Sequence, residues 1–259
     1  MIEEDKINDF ESRQQYKLLP KIPVVIKIEG RNFEKLTKNY EKPFSEELNN
    51  CFSAVLYKLC LEVEGVVFGY QYDDTIILIC RNDQTKDTIP WYDNDIQKIS
   101  SVTASLATCQ FYKSIMSSDK GFDIFEDLDI IFTSSVFTVP NIEEAVNVLL
   151  VSQLDNLKRS TYNSCYYALL EQEFSKEKVE NFLYNTSNED RIKLLKEKLN
   201  IDYYSYPESF RLGQICYRIP KLINDKLKFK WASFKEIPVF LQITEELKKL
   251  LSGETIKIC

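Results

Sequence analysis

The chain has 259 residues, 44% hydrophobic and 28% charged, the balance of an ordinary globular protein, and length for one large domain or a domain with an appendage. Its net charge of −7 argues against duplex binding by a wholly basic surface, while leaving room for a local basic groove. Histidine is absent, which excludes Ser-His and Cys-His nucleophiles, His acid-base catalysis and most zinc hydrolase sites.

In chain order, residues 23–28 (PVVIKI) predict a buried strand, ended by a tight turn at Glu29-Gly30. Ser45 is a candidate N-cap, followed by Leu48, Cys51, Phe52, Val55, Leu56 and Leu59 at helical spacing. Residues 66–70 and 75–80 predict two strands flanking Gln71-Tyr72-Asp73-Asp74, a β-hairpin with adjacent carboxylates at its tip. Residues 93–112 predict a helix with Ile96, Ile99, Val102, Thr103, Leu106, Cys109 and Gln110 inward. A strand over 128–139 is closed by Pro140. A helix capped by Asn141 then runs toward Leu170, with a break expected near Asn156. This order predicts an α+β fold, an antiparallel sheet with helices on one face, over residues 1–170. Residues 171–259 read as a smaller C-terminal appendage. It holds helices at 176–184, 190–199 and 244–251 and strands at 214–219 and 227–234.

Seven cysteines, without a CxxC or zinc-like spacing, read as reduced thiols of a cytoplasmic protein. Cys51, Cys60, Cys80 and Cys109 fall among apolar neighbours and are expected as buried small hydrophobes. No apolar run approaches the ~20 residues of a membrane helix, and residues 1–17 are too polar for a secretory signal, so no membrane partner is expected.

Without His, metal chemistry must rest on oxygen ligands, which points to Mg²⁺. Glu29, Asp73 and Asp74 are the candidates. If the first strand and the hairpin are neighbours in one sheet, the acids converge and can bridge two metal ions about 3.5–4 Å apart. Phosphoryl transfer needs mainly positioning and charge neutralisation, which such a site supplies. Adjacent acids in a hairpin turn are, on pattern alone, more often the mark of a solvated turn.

Residues 23–33, ending Glu29-Gly30-Arg31-Asn32-Phe33, are similar to the strand and DGR-x-F motif of the histidine-tRNA guanylyltransferase family. Phe10-Glu11 and Leu18-Leu19-Pro20 match its entry segment, and Glu41-Lys42-Pro43-Phe44 its nucleotide-side loop. Gly69-Tyr70-Gln71-Tyr72-Asp73-Asp74 resembles its Y-G-Q-S-D-E hairpin. Blocks at 136–141, 162–169 and 210–213 follow in the family's order. The resemblance implies a polymerase-like palm, two Mg²⁺ ions, and addition of nucleotides from GTP, ATP or other triphosphates to a tRNA 5′ end in the 3′-to-5′ direction. It implies Glu29, Asp73 and the Gly30 carbonyl as metal ligands and Asp74 as an auxiliary acid. Arg31, Asn32, Phe33 and Glu34 would contact the nucleotide, with Tyr72 beside the second ligand. A homodimer or homotetramer is implied as the assembly.

The chain also departs from the family pattern. Its first Asp is Glu29 here, longer by roughly 1.5 Å. Its D-x-R reads Thr133-Ser134-Ser135, and its W-R-Q reads Val151-Ser152-Gln153. Lys42, Lys98, Lys158, Arg159 and Asn163 are the candidates for phosphate or RNA contact. The His-containing block of enzymes dedicated to histidine tRNA reads Leu157-Lys158-Arg159-Ser160-Thr161-Tyr162-Asn163, which resembles the template-dependent branch that repairs tRNA 5′ ends. The expected activity is that repair. The alternatives are a catalytically reduced relative that binds RNA or nucleotide, and a palm-fold nucleotide cyclase.

Overall fold

The computed structural model describes residues 4–85, 87–117, 129–223 and 226–259. Its strands are β1 (Val24–Arg31), β2 (Val66–Tyr72), β3 (Thr75–Cys80), β4 (Ile131–Thr138), β5 (Gln214–Ile223) and β6 (Lys226–Phe234). They form one antiparallel sheet ordered β4-β1-β3-β2-β5-β6. The helices are α1 (Glu4–Arg13), α2 (Phe33–Thr37), α3 (Glu46–Glu62), α4 (Ile96–Met116), α5 (Ile142–Glu171), α6 (Lys176–Tyr184), α7 (Asn188–Lys198), α8 (Glu208–Arg211) and α9 (Thr244–Leu251).

β3 reads TIILIC and is buried along its whole length, so neither of its faces is left to solvent. Val24, Ile26 and Ile28 of β1, with Ile76 and Leu78 of β3, pack beneath α3 and α4, the helical layer expected from spacing. Val25, Ile77 and Ile79 alternate to the opposite face, where the first half of α5 and α9 cover them. The α+β palm expectation holds, but helices lie on both faces of the sheet rather than one. The apolar run of β3 requires that second layer.

Two expected boundaries move at the acid-bearing end. β1 continues through Glu29 and Gly30 to Arg31, because β4 pairs with it along that length and Gly30 N–H donates to the Asp74 carbonyl at 2.9 Å. β2 continues to Tyr72, leaving a turn of only Asp73 and Asp74. Ser45 and Asn141 cap α3 and α5 as expected. α4 begins at Ile96, with Asp95 as cap. It buries Ile99, Thr103, Ala107, Phe111 and Ile115, an i+4 row that leaves Cys109 exposed, contrary to expectation. The start expected for β4, Leu128, lies outside the described residues.

No break interrupts α5: Asn156 is buried, and its amide donates to the Phe210 carbonyl at 3.3 Å. Residues 171–259 contribute to the same sheet, since β5 pairs with β2 and extends it. α6, α7 and Tyr203 pack instead on the second half of α5, around Cys165, Leu169, Leu183 and Leu195. Among the described residues no helix is long and apolar enough to cross a membrane.

Gly30 is required by packing rather than by a turn. A methyl group on its α-carbon would lie 2.2 Å from the Phe33 ring. That ring is itself fixed by Phe52, Phe111 and Phe132, with centroids 5.3, 5.0 and 5.4 Å away. Gly30→Ala is expected to lower stability by about 1–3 kcal/mol in thermal or urea unfolding. Adding Phe33→Leu should recover part of that loss.

Candidate active site

A cleft of about 870 Å³ opens between α2, the loop over residues 38–45, the β2–β3 turn and α5. From α5 come Asn156, Arg159 and Ser160, Asn163, Tyr166 and Tyr167, and Leu170, successive turns of the helix that present one face to the space. Phe33, Glu34 and Lys42 line it opposite, and Asp73 and Asp74 close one end.

The turn is held from below by buried amides. Asp73 takes a left-handed conformation, φ 46°, which Asp tolerates better than most residues. Gln71 Nε2 donates to the Asp73 carbonyl at 2.7 Å. Gln214 Nε2 donates to Gln71 Oε1 and to Asn49 Oδ1, and Ser53 Oγ donates to Gln214 Oε1. This network joins α3, β2 and β5 beneath the acids, and sequence reading missed it because its members are far apart in the chain.

Arg159 dominates the electrostatics above the turn. Its Nη1 donates to Asp73 Oδ2 at 3.1 Å and Asp74 Oδ1 at 3.4 Å, and its Nε to Asp155 Oδ2 at 3.0 Å. Asp155 was also unanticipated, although the Asp155–Arg159 spacing is a standard helical ion pair. Burial works against the Arg159 charge, but Asp73, Asp155 and Asp74 outweigh it and raise its pKa. Tyr72 donates to Asp155 Oδ2 at 3.2 Å, and burial followed by Asp155 raises its pKa. Asp74 is pushed up to about 6, first by burial and then by the neighbouring Asp73. Lys42 stands over the Tyr167 ring, 5.0 Å from its centroid; burial lowers its pKa, with Asp73 opposing.

Glu29 lies across the pairing from Thr75, one residue from the turn. Its carboxylate, however, meets Lys27 Nζ at 2.6 Å, the two side chains sharing one face of β1. Arg31 is exposed at the end of β1. Asn32 is left-handed, φ 66°, and its amide donates to the Asp129 carbonyl. Phe33 serves both core and cleft. Lys158 is exposed and does not line the cleft. Lys98 lies away from the cleft: it pairs with Asp95 at 3.8 Å in the first turn of α4, and the next residue, Ile99, shares a smaller pocket with Val24, at the far end of β1. Helical spacing gives no sign of which end of the sheet a helix starts from.

As they stand, no three metal-ligating side chains among the described residues are gathered around one point. The donors nonetheless fit a hard cation in kind. They are oxygens at the end of β1 and in the neighbouring β2–β3 turn, each acid already countered by a positive side chain, Lys27 or Arg159. Glu29, Asp73 and the Gly30 carbonyl are the groups that would hold one.

Residues 4–140 match the family model described as tRNAHis guanylyltransferase, and residues 148–250 match the one described as Thg1 C terminal domain. The chain belongs to the tRNAHis guanylyltransferase family. Within it, tRNA(His) guanylyltransferase of Schizosaccharomyces pombe is 28% identical over 218 residues, which cover 82% of this chain and 80% of the relative. tRNA(His) guanylyltransferase 2 of Arabidopsis thaliana is 25% identical over 228 residues, 84% of this chain but 39% of that longer relative. Among solved structures, a bacterial tRNA(His) guanylyltransferase (Thg1)-like protein in complex with ATP superposes with a TM-score of 0.81 at 22% identity. The match covers 97% of this chain and 99% of that one. The guanylyltransferase fold therefore extends across both parts of the chain.

The raised pKa of Asp74 sets a pH dependence for the acid turn. The folded state holds this proton more tightly than the unfolded chain, so the group's stabilising contribution is complete below its usual 3.8. It is lost as pH rises through about 6. Asp74→Asn should therefore raise stability at pH 8 by about 1–2 kcal/mol, and by almost nothing near pH 3. Melting temperatures across that range test this; an equal gain at both ends would rule out the ionisation as the cause.

Proposed function

We propose that this chain is a nucleotidyltransferase that adds nucleotides to the 5′ end of tRNA in the 3′-to-5′ direction, selecting each by the base opposite the gap. The observation that carries this reading is the backbone tie from Gly30, next to Glu29 at the end of β1, to the Asp73-Asp74 turn, whose two acids line a nucleotide-sized cleft. The ATP complex of the bacterial relative supports a nucleoside triphosphate, ATP or GTP, as its occupant. Two Mg²⁺ ions held by Glu29, Asp73 and the Gly30 carbonyl would supply charge neutralisation at the phosphates and the departing pyrophosphate. Asp74, half withdrawn behind Asp73, adds an auxiliary negative charge, and Lys42 places an ammonium across the cleft from it. Arg31 ends β1 and Asn32, Phe33 and Glu34 follow it; of these Phe33 and Glu34 line the cleft, and all four would border the nucleotide.

An RNA partner is supported by charge placement within an acidic chain. Lys221 and Lys228 face each other across β5 and β6, next to Lys230, and all three are exposed. Like charges directly opposed in a ladder are unfavourable unless an anion covers them, and the RNA backbone is such an anion. Template selection is supported by the 157–163 block. It lies on α5, where Arg159, Ser160 and Asn163 line the cleft and no His is present to read a fixed base. Base pairing then specifies the nucleotide while the protein holds the backbone. We place the protein in the cytoplasm, in keeping with seven free thiols, as a homodimer or homotetramer that mass photometry would resolve. One observation favours a second reading, a catalytically reduced nucleotide- or RNA-binding relative: the Glu29 carboxylate is drawn to Lys27 rather than to the turn.

The test supplies Mg²⁺, all four nucleoside triphosphates and four tRNAs lacking one 5′ nucleotide, each with a different base opposite the gap. Addition of the complementary nucleotide to each is expected. Addition of G to all four would return the chain to the histidine-tRNA branch, and binding without addition would favour the reduced relative. Asp73→Asn keeps a residue that tolerates positive φ and should cut addition by roughly a hundredfold or more with the fold intact by circular dichroism.

A further inference from the structure

Arg159 is bound by two different kinds of contact. Nε meets Asp155 one helical turn earlier on α5, and Asp155 is itself braced by the Tyr72 hydroxyl. The guanidinium carbon lies 5.8 Å from the centroid of the Tyr72 ring. These contacts form a tether that does not involve the turn acids. Nη1, by contrast, reaches out to Asp73 and Asp74, and Nη2 carries no hydrogen bond among the described residues. The side chain lines the cleft and is 37% exposed, with room to turn about its tether.

The oxygens that Nη1 holds belong to the turn that would hold a divalent cation, so guanidinium and cation compete for one place. Displaced from it, a planar fork of N–H donors facing a cleft matches phosphate oxygens in charge and geometry. We propose that Arg159 is an exchangeable counter-ion. It neutralises Asp73 and Asp74 until a divalent cation binds, then swings on its Asp155 tether to take a phosphate of the nucleotide. This rests on the nucleotidyl-transfer reading and assigns Arg159 two successive partners within that site. The exchange keeps the acid pair from standing unopposed in the empty cleft. It also delivers a cation to the triphosphate only when the acids are otherwise satisfied.

The test measures two affinities separately, without turnover: Mn²⁺ alone by electron paramagnetic resonance, and ATP in saturating Mg²⁺ with no RNA present by calorimetry. Arg159→Gln should bind Mn²⁺ about three- to tenfold more tightly, because its competitor is gone, and ATP about three- to tenfold more weakly. Arg159→Lys retains the charge without the fork, so Mn²⁺ affinity should stay near the parental value while ATP affinity falls. It also serves if Arg159→Gln fails to fold. A residue that merely supports the cleft would weaken both affinities or neither, and either result overturns the exchange. If the unaltered protein binds neither Mn²⁺ nor ATP, the nucleotidyl-transfer reading falls and the exchange with it. If it binds both and Arg159→Gln moves them in the same direction, only the exchange is lost.

Discussion

One backbone hydrogen bond, from Gly30 N–H to the Asp74 carbonyl, ties the end of β1 to the β2–β3 turn. In a sheet, register decides which side chains share a face and an end, and a slip of one residue would send Glu29 to the opposite side. With this bond made, the end of β1 that carries Glu29 and Gly30 lies beside the turn whose Asp73 and Asp74 line the cleft. Gly30 must also lack a side chain, because the Phe33 ring, packed among three other Phe rings, occupies the space one would need. The core and the acid edge therefore depend on the same residue.

Elements whose signals are local were legible in sequence. Ser45 and Asn141 accept the hydrogen bonds their positions suggested, and the apolar spacing after each gives α3 and α5. α9 and the hairpin follow in the same way. The extent of β1 was not legible, since Glu29 and Gly30 break the apolar run and only pairing with β4 carries the strand through them. The expected break at Asn156 reflects the low helix preference of Asn, which a tertiary partner, the Phe210 carbonyl, overrides. α1 left no apolar stripe strong enough to read, and its Ile7 and Phe10 are exposed.

At the site, sequence named Phe33, Glu34, Asp73 and Asp74, which line the cleft, but not Asp155 or the buried amides beneath the turn. Arg159 and Asn163 belong to the cleft because α5 turns that face inward, whereas Lys98 and Lys158 share the same chemistry and point elsewhere. Single-sequence spacing supplies a helix's faces and not its direction across a sheet. The place of β5 beside β2 was not legible for a related reason. A polar stretch of helices separates β5 from β2 in sequence, yet the strands pair directly.

The buried amides beneath the turn have a further consequence. Each link in the chain from Ser53 through Gln214 and Gln71 to the Asp73 carbonyl runs donor to acceptor in one sense, and reversing any amide would set two like atoms against each other. Such a chain has one low-energy arrangement and cannot be adjusted piecemeal. The acid turn therefore inherits its position from α3 and β5 as a rigid unit. Drift in these lineages should be slow at Gln71 and Gln214 together, and faster on the exposed rim, where a side chain answers to no second partner.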